Sequence, residues 1–282
     1  MENNSTVKRR IRASQLRRKL NRNYALIRRM YKFLRFVFTI FLFYLAYTIL
    51  TLPQWYINEE EFFNGEANNV EILGNEIVSR ERILSTIREF NITSEPIYKL
   101  NPKSMTNKLR EITPINNAYI RRYAFPSRLV IMVDEVTPIL TISPSESAPD
   151  VVAFAITGEL IGREFLPLPT HMNTVKVLTY GTQGDDYHDW DKEKVLMLYN
   201  LARATEEYAG EEVEYIDIRS PQNAIIKITS AKIKIGEINN STFETIKEIH
   251  NILPAVKQLK NEIKYIDLSW EKTKYLKMEK IN

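Results

Sequence analysis

The sequence predicts an α+β protein in three parts: an N-terminal transmembrane helix, a small β-α-α-β-β module, and a larger mixed-sheet module with helices on one side. Three observations predict it. The only long apolar run in 282 residues lies near the start, from Phe36 to Leu52. Beyond it, short runs of alternating polarity are interleaved with runs of helical spacing. Charge also changes sign across the apolar run.

The apolar run comes first. A helix of this length rises roughly 26 Å, slightly less than a hydrocarbon core of about 30 Å. Its flanks extend it. Lys32 and Arg35 can snorkel from one end, and Trp55 and Tyr56 suit the interface at the other. Pro53 stops the helix there. A buried core helix would keep one polar face, whereas this run is broken only by threonines such as Thr39 and Thr48. A cleaved signal would have a short basic start and a small-residue cleavage site. Here 35 residues precede the run, and no such site follows. An uncleaved single span over 36–56 is expected.

Orientation follows from charge. Residues 1–35 hold twelve Lys or Arg and one acid, Glu2, leaving 27 basic and 34 acidic residues in the remainder. That bias puts the basic tail in the cytoplasm and the C-terminal part outside. The tail has two readings: a solvated segment that only sets topology, or a loosely helical segment on anionic lipid. Aromatic residues are not interleaved as stacking platforms, so no nucleic acid is expected. The chain has no cysteine and three histidines, which excludes a disulfide framework and makes the usual zinc site a poor expectation.

A polar stalk over 57–67 leads to the first exported module, 68–140. Val70 and Ile72 alternate as in a strand, Gly74-Asn75 makes a turn, and Ser79 caps a helix with Ile83, Leu84, Ile87 and Phe90 inward. Asn101 and Pro102 open a second helix, with Met105, Leu109 and Ile112 on its apolar face. Two strands follow, 116–124 and 128–140, joined at Phe125-Pro126-Ser127. Gly74 permits a left-handed turn, Pro126 shapes the hairpin, and Pro138 leaves the sheet.

The second exported module, 141–279, reads as strand-turn-strand about Thr157-Gly158, then a strand near 172–180, then an amphipathic helix with Val195, Leu198, Leu201 and Ala202 inward. Strands follow at 212–220, 223–230 and 231–237. Ser241 is expected to cap a helix over 242–258. Two short strands about a turn at 271–273 close the module, and 280–282 form a tail.

Catalytic patterns are missing. The chain has no GxSxG, HExxH, Walker A or GxGxxG pattern. The acid-rich stretch 184–191 reads either as a Ca²⁺ loop or as a solvated loop whose Asp189 or Asp191 caps the next helix; it lacks EF-hand spacing. No enzyme and no cofactor are expected.

A spaced series resembles a known family. Gly74, Asn75, Ser79, Ile83, Pro114, Ala118, Ile120, Arg122, Phe125, Pro126, Leu129, Ile131, Val133, Glu135 and Pro138 follow the pattern of the POTRA domain of the bacterial cell-division family FtsQ, also called DivIB. The ending "YIDLSW" with "YLKM" resembles the closing signature of that family's β domain, with Ser269 standing where Arg is usual. The resemblance implies a septal, single-pass, non-enzymatic divisome scaffold of the inner membrane. It would bind FtsB-like and FtsL-like bitopic proteins and help regulate septal peptidoglycan synthesis. It also implies a partner contact on the last strands, by addition of a strand to the sheet edge. Trp270, Tyr275, Leu276, Ile266 and Lys274 are the expected partner-binding residues. Trp270 could equally plug its own core. The edge lysines 272, 274 and 277 could either guard the edge or meet an acidic partner. The rival reading is a single-pass POTRA protein acting as a chaperone or docking factor in secretion or envelope assembly.

Overall fold

The computed structural model describes residues 3–58, 69–257, 262–269 and 275–279. The chain opens with one continuous helix, α1 (Asn3–Leu50), whose segment Asn23–Leu50 is long and apolar enough to cross a membrane. The basic tail and the apolar run thus share one helix. The threonines are tolerated in the apolar part because their hydroxyls donate back to the helix, Thr39 to the Arg35 carbonyl (2.8 Å) and Thr48 to that of Leu45 (2.8 Å). The helix stops three residues before Pro53, which opens a short 3₁₀ turn through Trp55.

The small module contains β1 (Val70–Leu73), α2 (Arg80–Arg88), α3 (Pro102–Leu109), β2 (Ile115–Tyr123) and β3 (Arg128–Glu135). Both expected caps are present. The Ser79 side chain accepts from Arg82 N–H, and the Asn101 side chain accepts from Lys103 and Ser104 N–H. The sheet order is β1-β3-β2, with β1 parallel and β2 antiparallel to β3. Ile83, Leu84, Ile87, Met105 and Leu109 bury against Leu129 and Ile131. Each such side chain contributes about 1.5–3 kcal/mol of transfer free energy before its ordering cost. Arg122, on β2, donates to the carbonyls of Ile97, Tyr98 and Leu100, tying down the loop that joins the helices.

The turn after β1 is held by one carboxylate. Gly74 sits at φ +80°, and a Cβ there would come 2.3 Å from the Val133 carbonyl oxygen. The chain then wraps around Glu135, whose oxygens accept from Glu76 N–H (2.9 Å), Ile77 N–H (2.6 Å) and Val78 N–H (2.9 Å). Asn75 closes the same loop by donating to the Val78 carbonyl (3.2 Å). Pro126 follows a cis peptide bond at the β2–β3 hairpin.

The run expected as one strand over 128–140 is two. β3 ends at Glu135, and β4 (Pro138–Ser143) enters the second sheet. Pro138 does leave the first sheet, as expected, but it opens the next. It is the first residue of β4, where a missing N–H is tolerated. The second sheet has nine strands in the order β12-β11-β10-β9-β8-β7-β4-β5-β6. The further strands are β5 (Val152–Ala155), β6 (Leu160–Ile161), β7 (Val175–Leu178), β8 (Val213–Asp217), β9 (Ala224–Ile228), β10 (Lys232–Gly236), β11 (Glu262–Asp267) and β12 (Tyr275–Glu279). The helices α4 (Lys192–Ala209), α5 (Asn240–Lys247) and α6 (Ile249–Lys257) pack on one another as well as on the sheet. Val195, Leu198, Leu201 and Ala202 are buried there, as their spacing predicts.

Two local expectations are corrected. Asn239, not Ser241, caps α5: its side chain accepts from Ser241 N–H, while its own N–H donates to the Thr242 hydroxyl. The expected helix over 242–258 is two, broken at Glu248, with Pro254 inside the second. Ile57, expected to begin a polar stalk, is buried in the small module's core because the chain after the 3₁₀ turn packs onto that module. Residues 59–67 of the stalk lie outside the described residues, as does the expected turn at 271–273.

The two sheets share a small apolar seam. Ile77, from the Glu135-held loop, packs with Val136, Ala153, Ala155 and Ile161. His171 adds a hydrogen-bond contact with Glu76 (2.9 Å), exposed and therefore worth little.

Two predictions follow from these contacts. Glu135→Ala strands three N–H groups and should cost about 3 kcal/mol of unfolding free energy, and Gly74→Ala about 2 kcal/mol or more, in urea unfolding of the purified protein. The second concerns Asp217 at the end of β8. Burial alone would raise its carboxyl, but bonds from the Arg219 side chain (2.6 and 3.0 Å) and backbone N–H (3.1 Å), with the charges of Arg219 and Lys232, hold it below the usual carboxylate range. A depressed folded-state value means the pair stabilises fully above the unfolded carboxyl value of about 3.9 and loses this as pH falls through the folded one. Arg219→Ala should therefore cost about 1 kcal/mol at pH 7, after allowing for partial exposure, with the gap to wild type closing below about pH 4.

Candidate functional site

The end of the larger sheet is built by a unit that occurs twice. β7, α4, β8 and β9 form a parallel strand pair across a helix, followed by an antiparallel strand. β10, the α5–α6 pair, β11 and β12 repeat that order with the same strand senses. The sequence carries the echo. Tyr215-Ile216-Asp217 ends β8 and Tyr265-Ile266-Asp267 ends β11. Ile216 and Ile266 are both buried, and each Asp turns back to accept the backbone N–H two residues on, from Arg219 and from Ser269, both at 3.1 Å. In the first unit β9 is continued by β10, antiparallel to it. In the second, β12 occupies the place of β9 and is the last strand among the described residues.

The expected partner-binding residues divide around this edge. Tyr275 and Leu276 lie on β12, opposite Asp267 and Ile266 of β11. Ile266 is a correction: it is 2% exposed within the main core, and its strand is paired on both sides, so its side chain cannot reach a partner. Trp270 and Lys274 lie outside the described residues.

β11 is seated firmly beneath the edge. Leu268 is buried, and its N–H donates to the Lys234 carbonyl (2.8 Å). Lys234 also places its ammonium 3.9 Å from the centre of the Tyr265 ring, a cation–π contact. Ser269 packs its Cβ position close to Gly236, which sits at φ +73°. Sequence reasoning missed this bracing and the repeat behind it; the doubled Tyr-Ile-Asp was the signal that could have found both.

The acid-rich stretch 184–191 is used locally. The Asp191 side chain accepts from Lys194 N–H (2.7 Å) and caps α4, as one of its two readings expects. Asp186 accepts from the Thr182 and Gln183 N–H groups (2.9 and 3.0 Å). Beside them the Tyr187 hydroxyl donates to the Gly181 carbonyl, and burial pushes its pKa up.

In comparison with known proteins, residues 66–135 match the family model described as POTRA domain, FtsQ-type. No curated protein matches the chain. The match covers the whole sequence from the approach to β1 through Glu135, so the Gly74 turn and the carboxylate that holds it lie inside it. A POTRA domain of the FtsQ type, set behind one N-terminal apolar helix and ahead of a larger mixed-sheet module, fits an FtsQ/DivIB-family protein.

Proposed function

We propose that the protein is a scaffold of the bacterial divisome that binds bitopic partners through the open edge of its larger sheet. The POTRA domain supports a division-associated protein held by a membrane anchor. The finer reading has the basic tail in the cytoplasm, both modules outside, and the whole chain recruited to the septum. There it would gather FtsB-like and FtsL-like proteins and help regulate septal peptidoglycan synthesis. Its role is binding rather than catalysis.

The observation that carries the partner site is the position of β12. An end strand offers a row of backbone N–H and C=O groups to an incoming strand. By the logic of the repeated unit, a partner strand would continue β12 as β10 continues β9, running antiparallel. Tyr275 and Leu276 belong to that strand, and Trp270 and Lys274 precede it in the sequence. An aromatic at a strand-pairing edge is a frequent energetic centre of an interface.

Two measurements test this. Trp270→Glu and Leu276→Glu, each checked for an unchanged thermal unfolding midpoint, should weaken co-purification of an FtsB-like partner at least about tenfold, the loss of roughly 1.4 kcal/mol. Undiminished binding by both folded variants would refute the edge assignment. In dividing cells, a functional fluorescent N-terminal fusion should form a mid-cell band before constriction. An even membrane distribution throughout the cycle would remove division as the role.

A further inference from the structure

The POTRA domain is clasped to the outer end of the membrane helix. The last carbonyls of any helix lack intrahelical partners. Here two are met from beyond the helix: the Trp55 indole N–H donates to the Ile49 carbonyl (2.6 Å), and the Tyr98 hydroxyl donates to that of Leu50 (3.3 Å). Tyr98 is 48 residues away along the chain and belongs to the POTRA module. Backbone bonds strengthen the clasp, Ile97 N–H to the Trp55 carbonyl (2.8 Å) and Ser127 N–H to that of Gln54 (3.2 Å). Trp55 meets Tyr98 and Phe125 edge-on, at 5.3 and 4.3 Å between ring centres.

This geometry sets a depth. The apolar run ends at Leu52, so the Ile49 and Leu50 carbonyls lie where hydrocarbon gives way to headgroups. Rings bonded to them lie at the same level. Yet Phe125 is 57% exposed and Tyr98 42% exposed in the protein alone. An exposed phenylalanine on a hairpin tip is unfavourable in water and suited to a bilayer interface.

The segments that meet at this corner are basic, with acids only beyond them along the sequence, at Glu95 and at 59–61. Segments 54–58, 97–99 and 121–128 carry Lys99, Arg121, Arg122 and Arg128 and no acid. Arg122 is spent on backbone carbonyls. Arg128 lies over the Tyr123 ring at 4.7 Å, and Arg121 donates to the Tyr123 hydroxyl (3.4 Å). Neither has a carboxylate partner among the described residues.

We infer that the hairpin corner of the POTRA domain, formed by Tyr98, Lys99, Phe125, Arg121 and Arg128, is a membrane-surface site that binds anionic phospholipid headgroups of the outer leaflet. The aromatic pair enters the interface beside the helix end, and the cations meet phosphate. The site continues the membrane contact of the helix itself. It fixes the tilt of the exported modules over the bilayer, and it rests on the helix being an anchor, not on any division partner.

The full chain has no native cysteine, so single labels can be placed at will. Ala124→Cys, at the hairpin tip, would carry an environment-sensitive fluorophore in vesicles doped with a headgroup-quenching lipid. The vesicles are phosphatidylcholine with or without one third phosphatidylglycerol. Thr39→Cys, read with an acyl-chain quencher, reports the span alone. Ser147→Cys, beyond the two strands that lead away from the tip, is the reference. Quenching at 124 should exceed that at 147, should rise at least about twofold with the anionic lipid, and should lose that rise in Arg121→Gln/Arg128→Gln. Quenching at 124 no greater than at 147, or no dependence on anionic lipid or on the two arginines, overturns the inference and leaves the corner to a protein partner. An unquenched label at 39 refutes the anchor, and the inference with it.

Discussion

Three backbone N–H groups converge on the Glu135 carboxylate, and much of the architecture depends on that convergence. The groups belong to a loop that has just turned through Gly74 in a conformation closed to side chains. Without an acceptor, a partly buried cluster of N–H donors would lose its bonds, and the loop would be free to open. With it, the loop presents Ile77 to Ala153, Ala155 and Ile161 of the other sheet. Glu135 also ends β3, two residues before Pro138 starts β4. One side chain thus fixes both the turn inside the small module and the point where the chain passes between sheets.

At the other end of the same module, Trp55 and Tyr98 do a related job with neutral donors. They satisfy carbonyls that the helix end leaves unpaired. Ile57 is drawn into the POTRA core just beyond them, so the link between the apolar helix and the module begins as packed structure. Arg122 holds the loop that carries Tyr98, which makes a residue of the family pattern responsible for the clasp at one remove.

The larger sheet grows by repetition. Each unit places a parallel pair across a helical layer and adds an antiparallel strand, so the sheet can extend in one direction without topological conflict. Such a series leaves an end strand. The firm seating of β11, through Leu268 and the Lys234–Tyr265 contact, means that β12 is displayed on a well-braced neighbour. If the proposed strand addition occurs there, that rigidity favours it, since ordering an edge on binding would cost affinity.

Local chemistry was legible in the sequence. The apolar run, the charge reversal, the caps at Ser79 and Asn101, the helix face of α4 and the β-α-α-β-β order all follow from interactions within a few residues, which spacing and residue type determine. The spaced Gly74-to-Pro138 series marked the module for the same reason. Contacts between distant residues were not legible. Nothing local shows that 128–140 divides between two sheets, that Ile57 turns inward, or that Ile266 lies between two strands instead of at an edge. Nor does it show that Glu135 reaches back to residues 76–78, or that Tyr98 meets the end of the helix. The sequence by itself determined the apolar helix, its expected orientation and most of the elements of each module. Only the tertiary structure decided how they are joined and which strand stands last among the described residues, because those outcomes depend on long-range packing and on which buried polar groups find partners.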